Sequence, residues 1–147
     1  KDQDVMREYY DNCIEFIKMC RNKQLNTIYA NMNNIPLSSQ STNYIICIAT
    51  FHHLQSYKNR LNALLEMKRL LKPGGKILLS VWSKVQPRKT RVIFNNYGDN
   101  IVLWKNIHKR YYYIFKIDEI IQLFKDAELI LEEHTYDCGN EIFMLTY

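Results

Sequence analysis

Residues 43–50, NYIICIAT, form an almost unbroken apolar and β-branched run. Hydrophobicity that is continuous rather than alternating predicts a strand covered on both faces, as in a parallel sheet with flanking helices. The pattern downstream narrows the choice further. Tyr57, Leu61, Leu64, Leu65 and Leu71 mark an amphipathic helix, with Lys58, Asn62, Lys68 and Arg69 on its solvated side. That helix is predicted to stop at Lys72-Pro73-Gly74-Gly75, because proline lacks the amide that a continuing helix needs and glycine accepts the left-handed exit. Residues 76–82, KILLSVW, then read as another apolar strand.

The flanks extend the alternation. Cys13, Phe16, Ile17 and Cys20 repeat at helical spacing over residues 12–21, with Asp11 placed to cap the start. Residues 27–30 are a short strand, and the polar stretch through Pro36 is a loop. Residues 83–110, rich in Lys, Arg and Asn, are the least regular part. Ile117, Ile120, Ile121, Phe124 and Ala127 define a third amphipathic helix. Strands at 129–136 and 141–147 close the chain around the turn Asp137-Cys138-Gly139-Asn140. Strands alternating with helices, then two adjacent final strands, predict an α/β fold: one domain over residues 1–147, built on an open, mostly parallel sheet with an antiparallel edge.

Composition bounds the function classes. Twenty Lys and Arg against fifteen Asp and Glu give a formal charge of +5, which permits an anionic partner such as RNA without requiring one. A hydrophobic content of 47% over 147 residues excludes a disordered chain. No apolar run approaches the roughly 18 residues of a membrane span. Four cysteines without a CxxC pair, set in apolar runs, predict buried reduced thiols in an intracellular protein. The four glycines are Gly74, Gly75, Gly98 and Gly139, so the chain carries no glycine-rich nucleotide loop.

The string from Ile35 through LKPGG to Ser83 resembles the middle of a class I S-adenosylmethionine-dependent methyltransferase, a Rossmann-like fold. Within that superfamily the details resemble the tRNA wobble-uridine carboxymethyl methyltransferases. Ala49-Thr50-Phe51-His52-His53 is similar to their Ala-x-x-His-His signature, and Val81-Trp82 to the Val-Trp after the LKPGG turn. IVLW at 101–104 resembles a Val-Pro-Trp element with Leu103 replacing proline. RYYYIF at 110–115 resembles Arg-Tyr-Tyr-His-x-Phe with Tyr113 replacing histidine. Asp137-Cys138-Gly139-Asn140 resembles an Asp-x-x-Asn turn, followed by Glu141 where the family prefers an aromatic. The family's acidic-Gly-x-Gly-x-Gly motif has no match. About a third of the family domain, with its central strand, precedes the position of Asp11, whereas ten residues precede it here. We therefore expect a truncated chain or one lacking a segment, with the N-terminal third of the domain missing. VMREYYD reads alternatively as the family's N-terminal helix joined to later sequence.

The resemblance implies S-adenosylmethionine as cofactor and assigns residues to it. Asp11 would accept from the ribose hydroxyls, a task suited to two carboxylate oxygens, or else simply cap a helix. Asn31 would accept from the adenine amino group and Met32 would offer its backbone amide, unless both belong to a polar turn. Ile48, Ala49 and His52 would lie beside the methionine part, at the carboxyl edge of the sheet where ligands bind. A metal at His52-His53 is not expected, since no further ligands cluster there, and His53 suits a hydrogen bond at a helix start. Arg110, Tyr112, Trp104 and Asn140 are the substrate-side candidates: guanidinium binds phosphate or carboxylate and aromatic faces stack on bases. Read without the resemblance, the tyrosines pack under the third helix and the lysines of 84–91 are solvated. Trp82 reads as core.

The implied reaction is methyl transfer to the carboxylate of a carboxymethyl group on a wobble uridine of tRNA, with no acid/base residue expected. Implied partners are tRNA and a small zinc-binding activator subunit, and the implied location is the cytoplasm, with the nucleus as a second. Two alternatives stay open: the same fold acting on a small molecule, and a non-catalytic RNA- or partner-binding remnant without the cofactor loop.

Overall fold

A computed structural model of the chain describes residues 7–90, 92–104 and 107–147, and the side chains of Thr90 and Trp104 lie outside the described residues. The chain forms two compact units, Lys1–Leu37 and Ser38–Tyr147, which divide just after Pro36 in the polar loop.

The first unit is a minimal strand–helix–strand. β1 (Tyr9–Asp11) and β2 (Thr27–Tyr29) pair in parallel, with Asp11 opposite Tyr29. α1 (Ile14–Asn22) joins them and buries Ile17. Its N-cap is Cys13, two residues beyond the expected Asp11. The Asp11 carboxylate instead accepts from the Cys13 amide at 2.6 Å, closing the turn that leads into the helix. The Arg21 guanidinium donates twice to the Thr27 carbonyl, tying the helix end to β2. Tyr9–Asp11 is strand, so the alternative reading of VMREYYD as a helix fails over these three residues.

The second unit holds β3 (Thr42–Ile48), α2 (Tyr57–Leu70), β4 (Leu71–Trp82), α3 (Ile117–Asp126), β7 (Ile130–Asp137) and β8 (Asn140–Thr146). The sheet order is β3-β4-β8-β7, with β3 parallel to β4 and the β8–β7 pair antiparallel. An open sheet with an antiparallel edge is thus realised as expected. Ile77, Leu79 and Val81 alternate along β4, Ile77 opposite Leu145 and Leu79 opposite Phe143 of β8, and all five are fully buried. Phe124 of α3 packs edge-on against Phe143, so the helices cover this face. The opposite face corrects the expectation that β3 is covered on both sides. Tyr44, Ile46 and Ile48 are 73%, 69% and 59% exposed, in register with Lys76, Leu78 and Ser80.

Two further corrections concern loops and thiols. The stretch expected to be irregular contains a β-hairpin, β5 (Gly98–Trp104) with β6 (His108–Ile114), whose inner face buries Tyr112 and Ile114 against Phe94, Trp82, Val92 and Val102. All four cysteines are free, but Cys47 alone is buried; Cys13 and Cys20 are half-buried and Cys138 is exposed. Burial pushes the Cys47 thiol up to about 12. Among the described residues no helix is long and apolar enough to cross a membrane.

The β7–β8 turn requires glycine. Cys138 and Gly139 both have positive φ, +46° and +90°, the pairing of a tight type I′ hairpin. The Gly139 carbonyl accepts from the Ser83 amide and the Gln86 side chain, which draws that segment onto the turn. A Cβ at Gly139 would sit 2.7 Å from both Gln86 Oε1 and Pro87 Cδ. Gly139→Ala is expected to cost about 2 kcal/mol in urea unfolding, from a left-handed alanine plus the clash. A loss below about 0.5 kcal/mol would mean that the turn relaxes instead.

Candidate functional site

The carboxyl end of β3 is strained where a ligand-binding edge is expected. Ile48 ends the strand, and Ala49 turns with φ +52°, a left-handed conformation that costs a non-glycine residue about 1 kcal/mol. Ser80 holds it there: the Ala49 amide donates to the Ser80 carbonyl at 3.1 Å and to its hydroxyl at 3.3 Å. Thr50 then starts a 3₁₀ turn, Phe51–His53.

That turn delivers two imidazoles in opposite tautomers. The Trp82 amide donates to His52 Nδ1 at 3.0 Å, so the neutral ring carries its proton on Nε2. His52 is 1% exposed, and its Nε2–H has no partner among the described residues. Burial, with a smaller contribution from adjacent His53, lowers its pKa to about 3. His52 is therefore a neutral ring with a spare donor. His53 is exposed, and its Nδ1 lies 2.7 Å from the Tyr111 carbonyl. A carbonyl only accepts, so the proton of this bond sits on Nδ1. His53 thus reaches across to the hairpin rather than serving a helix start.

The hairpin supplies the opposite wall. Tyr112 stacks on Trp82 at 4.7 Å and 17°, with His52 and His53 packed against its ring at 5.0 and 4.6 Å. Tyr112 is 2% exposed, so its aromatic face is already engaged by the cluster. Arg110 lies exposed on the same face of β6. On the other face, the Tyr111 hydroxyl donates to Asp99 and the Tyr113 hydroxyl to Glu119. Burial and these carboxylates push both phenols up to about 12. Arg60, 5% exposed, places its guanidinium 3.7 Å over the Tyr113 ring and donates to the Leu54 carbonyl at 2.9 Å.

The remaining candidates are divided between the two units. In the first unit, Asp11 is the last residue of β1, and Asn31 and Met32 sit in the turn after β2. The Asn31 side-chain oxygen already accepts from the Asn33 amide at 2.9 Å, as a polar turn would have it. In the second unit, Asn140 opens β8 and donates to the Asp137 carbonyl at 3.3 Å. Trp104 pairs through its backbone with His108. Lys84 lies 4.6 Å over the Tyr97 ring, and Arg91 is outside the described residues. No group of three metal-ligating side chains occurs among the described residues.

Sequence reasoning missed Ser80, Arg60 and the His53–Tyr111 contact. Ser80 had a signal, being the one hydroxyl inside KILLSVW. Arg60 had another, falling three residues after Tyr57 and four before Leu64 on the apolar face of α2.

Residues 8–79 match the profile of a family described as a methyltransferase domain. A Schizosaccharomyces pombe tRNA (carboxymethyluridine(34)-5-O)-methyltransferase is 28% identical over 155 aligned positions, covering 88% of this chain and 67% of that protein. The mouse enzyme of the same name is 33% identical over 81 positions, 55% of this chain and 12% of that protein. A protein of Encephalitozoon cuniculi named for methyltransferase activity is 30% identical over 68% of this chain, which spans half of its length. Among solved structures, an S-adenosylmethionine-dependent methyltransferase of Methanosarcina mazei superposes with a TM-score of 0.77 at 13% identity, covering 94% of this chain and 80% of that one. A chain from the complex of the Haloferax volcanii Trm112 methyltransferase activator with a methyltransferase gives 0.69 at 15% identity, with 95% and 71% covered. Residues 8–79 therefore resemble a methyltransferase domain, and the chain has the class I, Rossmann-like fold. The superposed Methanosarcina mazei structure is named for dependence on S-adenosylmethionine.

The depressed His52 pKa has a stability consequence. Below about pH 6.5 the unfolded chain takes up a proton that the folded ring refuses, so stability is lost as pH falls from there toward about 3. His52→Asn retains an acceptor for the Trp82 amide but does not titrate. Between pH 7 and pH 5 the wild type is expected to lose roughly 2 kcal/mol more than this variant in urea unfolding. Equal losses would mean that the His52 ring is protonated in the folded state.

Proposed function

We propose that the protein transfers a methyl group from S-adenosylmethionine to a carboxylate oxygen of a carboxymethyl group on a wobble uridine of tRNA. One observation carries this reading: the bond from His53 to the Tyr111 carbonyl joins the 49–53 and 110–115 motifs, 58 residues apart in the chain, into one wall. The relatives' names point to the same acceptor.

The residues fit the cofactor's chemistry. His52 offers a buried, unpartnered N–H suited to a carboxylate such as that of a methionine moiety. The reading assigns Ile48, Ala49 and His52 to that moiety, Asp11 to the ribose hydroxyls, and Asn31 with Met32 to the adenine edge. S-adenosylmethionine, when bound, supplies an electrophilic methyl group on a sulfonium. A carboxylate oxygen forms the new C–O bond while the S–CH3 bond breaks and its electron pair stays on sulfur, so no proton moves. The chain's own residues then have to orient the acceptor and exclude water. Arg110 is the cation for the acceptor carboxylate, with Trp104 and Asn140 on the substrate side; Tyr112, expected there too, is buried and backs the wall instead. A Trm112-type zinc-binding activator is the proposed partner, supported by the match to a chain of such a complex. The cytoplasm or nucleus is the proposed location.

The test uses labelled S-adenosylmethionine with the activator and tRNA that either carries or lacks the carboxymethyl group. Methyl ester should form on the carboxymethylated tRNA alone, and Arg110→Ala should lower kcat/KM by about 10- to 100-fold. Equal labelling of both tRNAs, or turnover on a free small acceptor without RNA, would sink the reading.

A further inference from the structure

We propose that His53 is a positioning residue, which fixes β6, and with it Arg110, against the strained loop at residues 49–52 through its Nδ1–H bond to the Tyr111 carbonyl. The inference rests on the proposed function only for what Arg110 binds; the clamp itself is a property of the second unit.

Four observations converge. β6 pairs with β5 on one side, while the Tyr111 carbonyl is taken by His53, which reaches it from the end of the 3₁₀ turn. The Tyr111 ring also lies against the segment after the turn, its hydroxyl 3.3 Å from the Gln55 carbonyl while its proton goes to Asp99. Arg60 fixes that segment from α2, through its bond to the Leu54 carbonyl and its stacking on Tyr113. The segment is anchored behind by His52 on the Trp82 amide. Any movement of residues 49–52 is thereby passed to β6 one residue away from Arg110.

The tautomer makes the idea testable, because Asn and Gln imitate different nitrogens. An Asn amide reproduces a donor near the Nδ1 position, whereas a Gln amide extends toward Nε2. His53→Asn should therefore hold the Tyr111 carbonyl, and His53→Gln should release it. The first measurement is amide hydrogen exchange without substrate. Exchange of the β6 amides should rise roughly fivefold in His53→Gln, the effect of one hydrogen bond, and change less than about twofold in His53→Asn. The second is steady-state kinetics with carboxymethylated tRNA. His53→Gln should raise KM about tenfold with kcat changed less than about threefold, and His53→Asn should restore KM. In an Arg110→Ala background His53→Gln should add less than about twofold, since it acts through that arginine.

Equal β6 exchange in the two variants would overturn the clamp whatever the activity. Altered exchange with additive KM effects would overturn the route through Arg110. Wild-type protein that ignores carboxymethylated tRNA, while exchange behaves as expected, would remove the proposed acceptor and leave the clamp standing.

Discussion

The bond from the Trp82 amide to His52 Nδ1 is the contact on which the candidate site of the second unit turns. It places a side chain where the last backbone donor of β4 would otherwise lack a partner on that side, and it fixes the start of everything after β3. To make it, the chain must leave β3 abruptly. Ala49 accepts a left-handed φ for this purpose, held by the two acceptors of Ser80. Strain of about 1 kcal/mol persists only where neighbours over-determine it, and here strand pairing, Ser80 and the buried His52 all do so.

The hairpin is the second consequence. Trp82 comes directly after a fully buried strand position, and its indole becomes the platform for Tyr112. Tyr112 packs inward while Tyr111 and Tyr113 face the other way, toward Asp99, Glu119 and Arg60. Three consecutive tyrosines thus do two jobs. Alternation along a strand assigns them, because successive side chains point to opposite faces.

Much of this was legible in the sequence, and the misses have physical reasons. NYIICIAT, the LKPGG stop and the helical repeats located β3, α2, β4 and α3 because each signal is local. The β5–β6 hairpin escaped because its apolar residues cluster as IVLW and YYYI beside Asp, Asn, Lys and Arg, so no apolar alternation announces it and long-range aromatic packing decides. The open face of β3 escaped because an apolar run reports what residues tolerate, not what covers them. At the site, the His-His string could be found, but its tautomers could not. They are set by an amide 30 residues away and a carbonyl 58 residues away. Asp11 was found as an acidic residue just before a helix and Asn31 by its place in the resemblance. Each already serves its own turn, which chain-local spacing left as one of two readings.

The way the structure uses its imidazoles bears on the class of acceptor. An amine or hydroxyl acceptor must lose a proton during methyl transfer, and a site for it needs a base within reach. His52 cannot be that base: its Nδ1 lone pair is occupied by the Trp82 amide and burial holds the ring neutral with a proton on Nε2. The Tyr111 and Tyr113 phenols are held protonated, each hydroxyl donating to a carboxylate. His53 is the exception, since only its Nδ1 is engaged, by the Tyr111 carbonyl. Groups that could accept protons are mostly committed to holding backbone and ring positions. An acceptor that is already anionic asks for that economy, since its nucleophilic oxygen needs alignment and an orienting cation rather than a base.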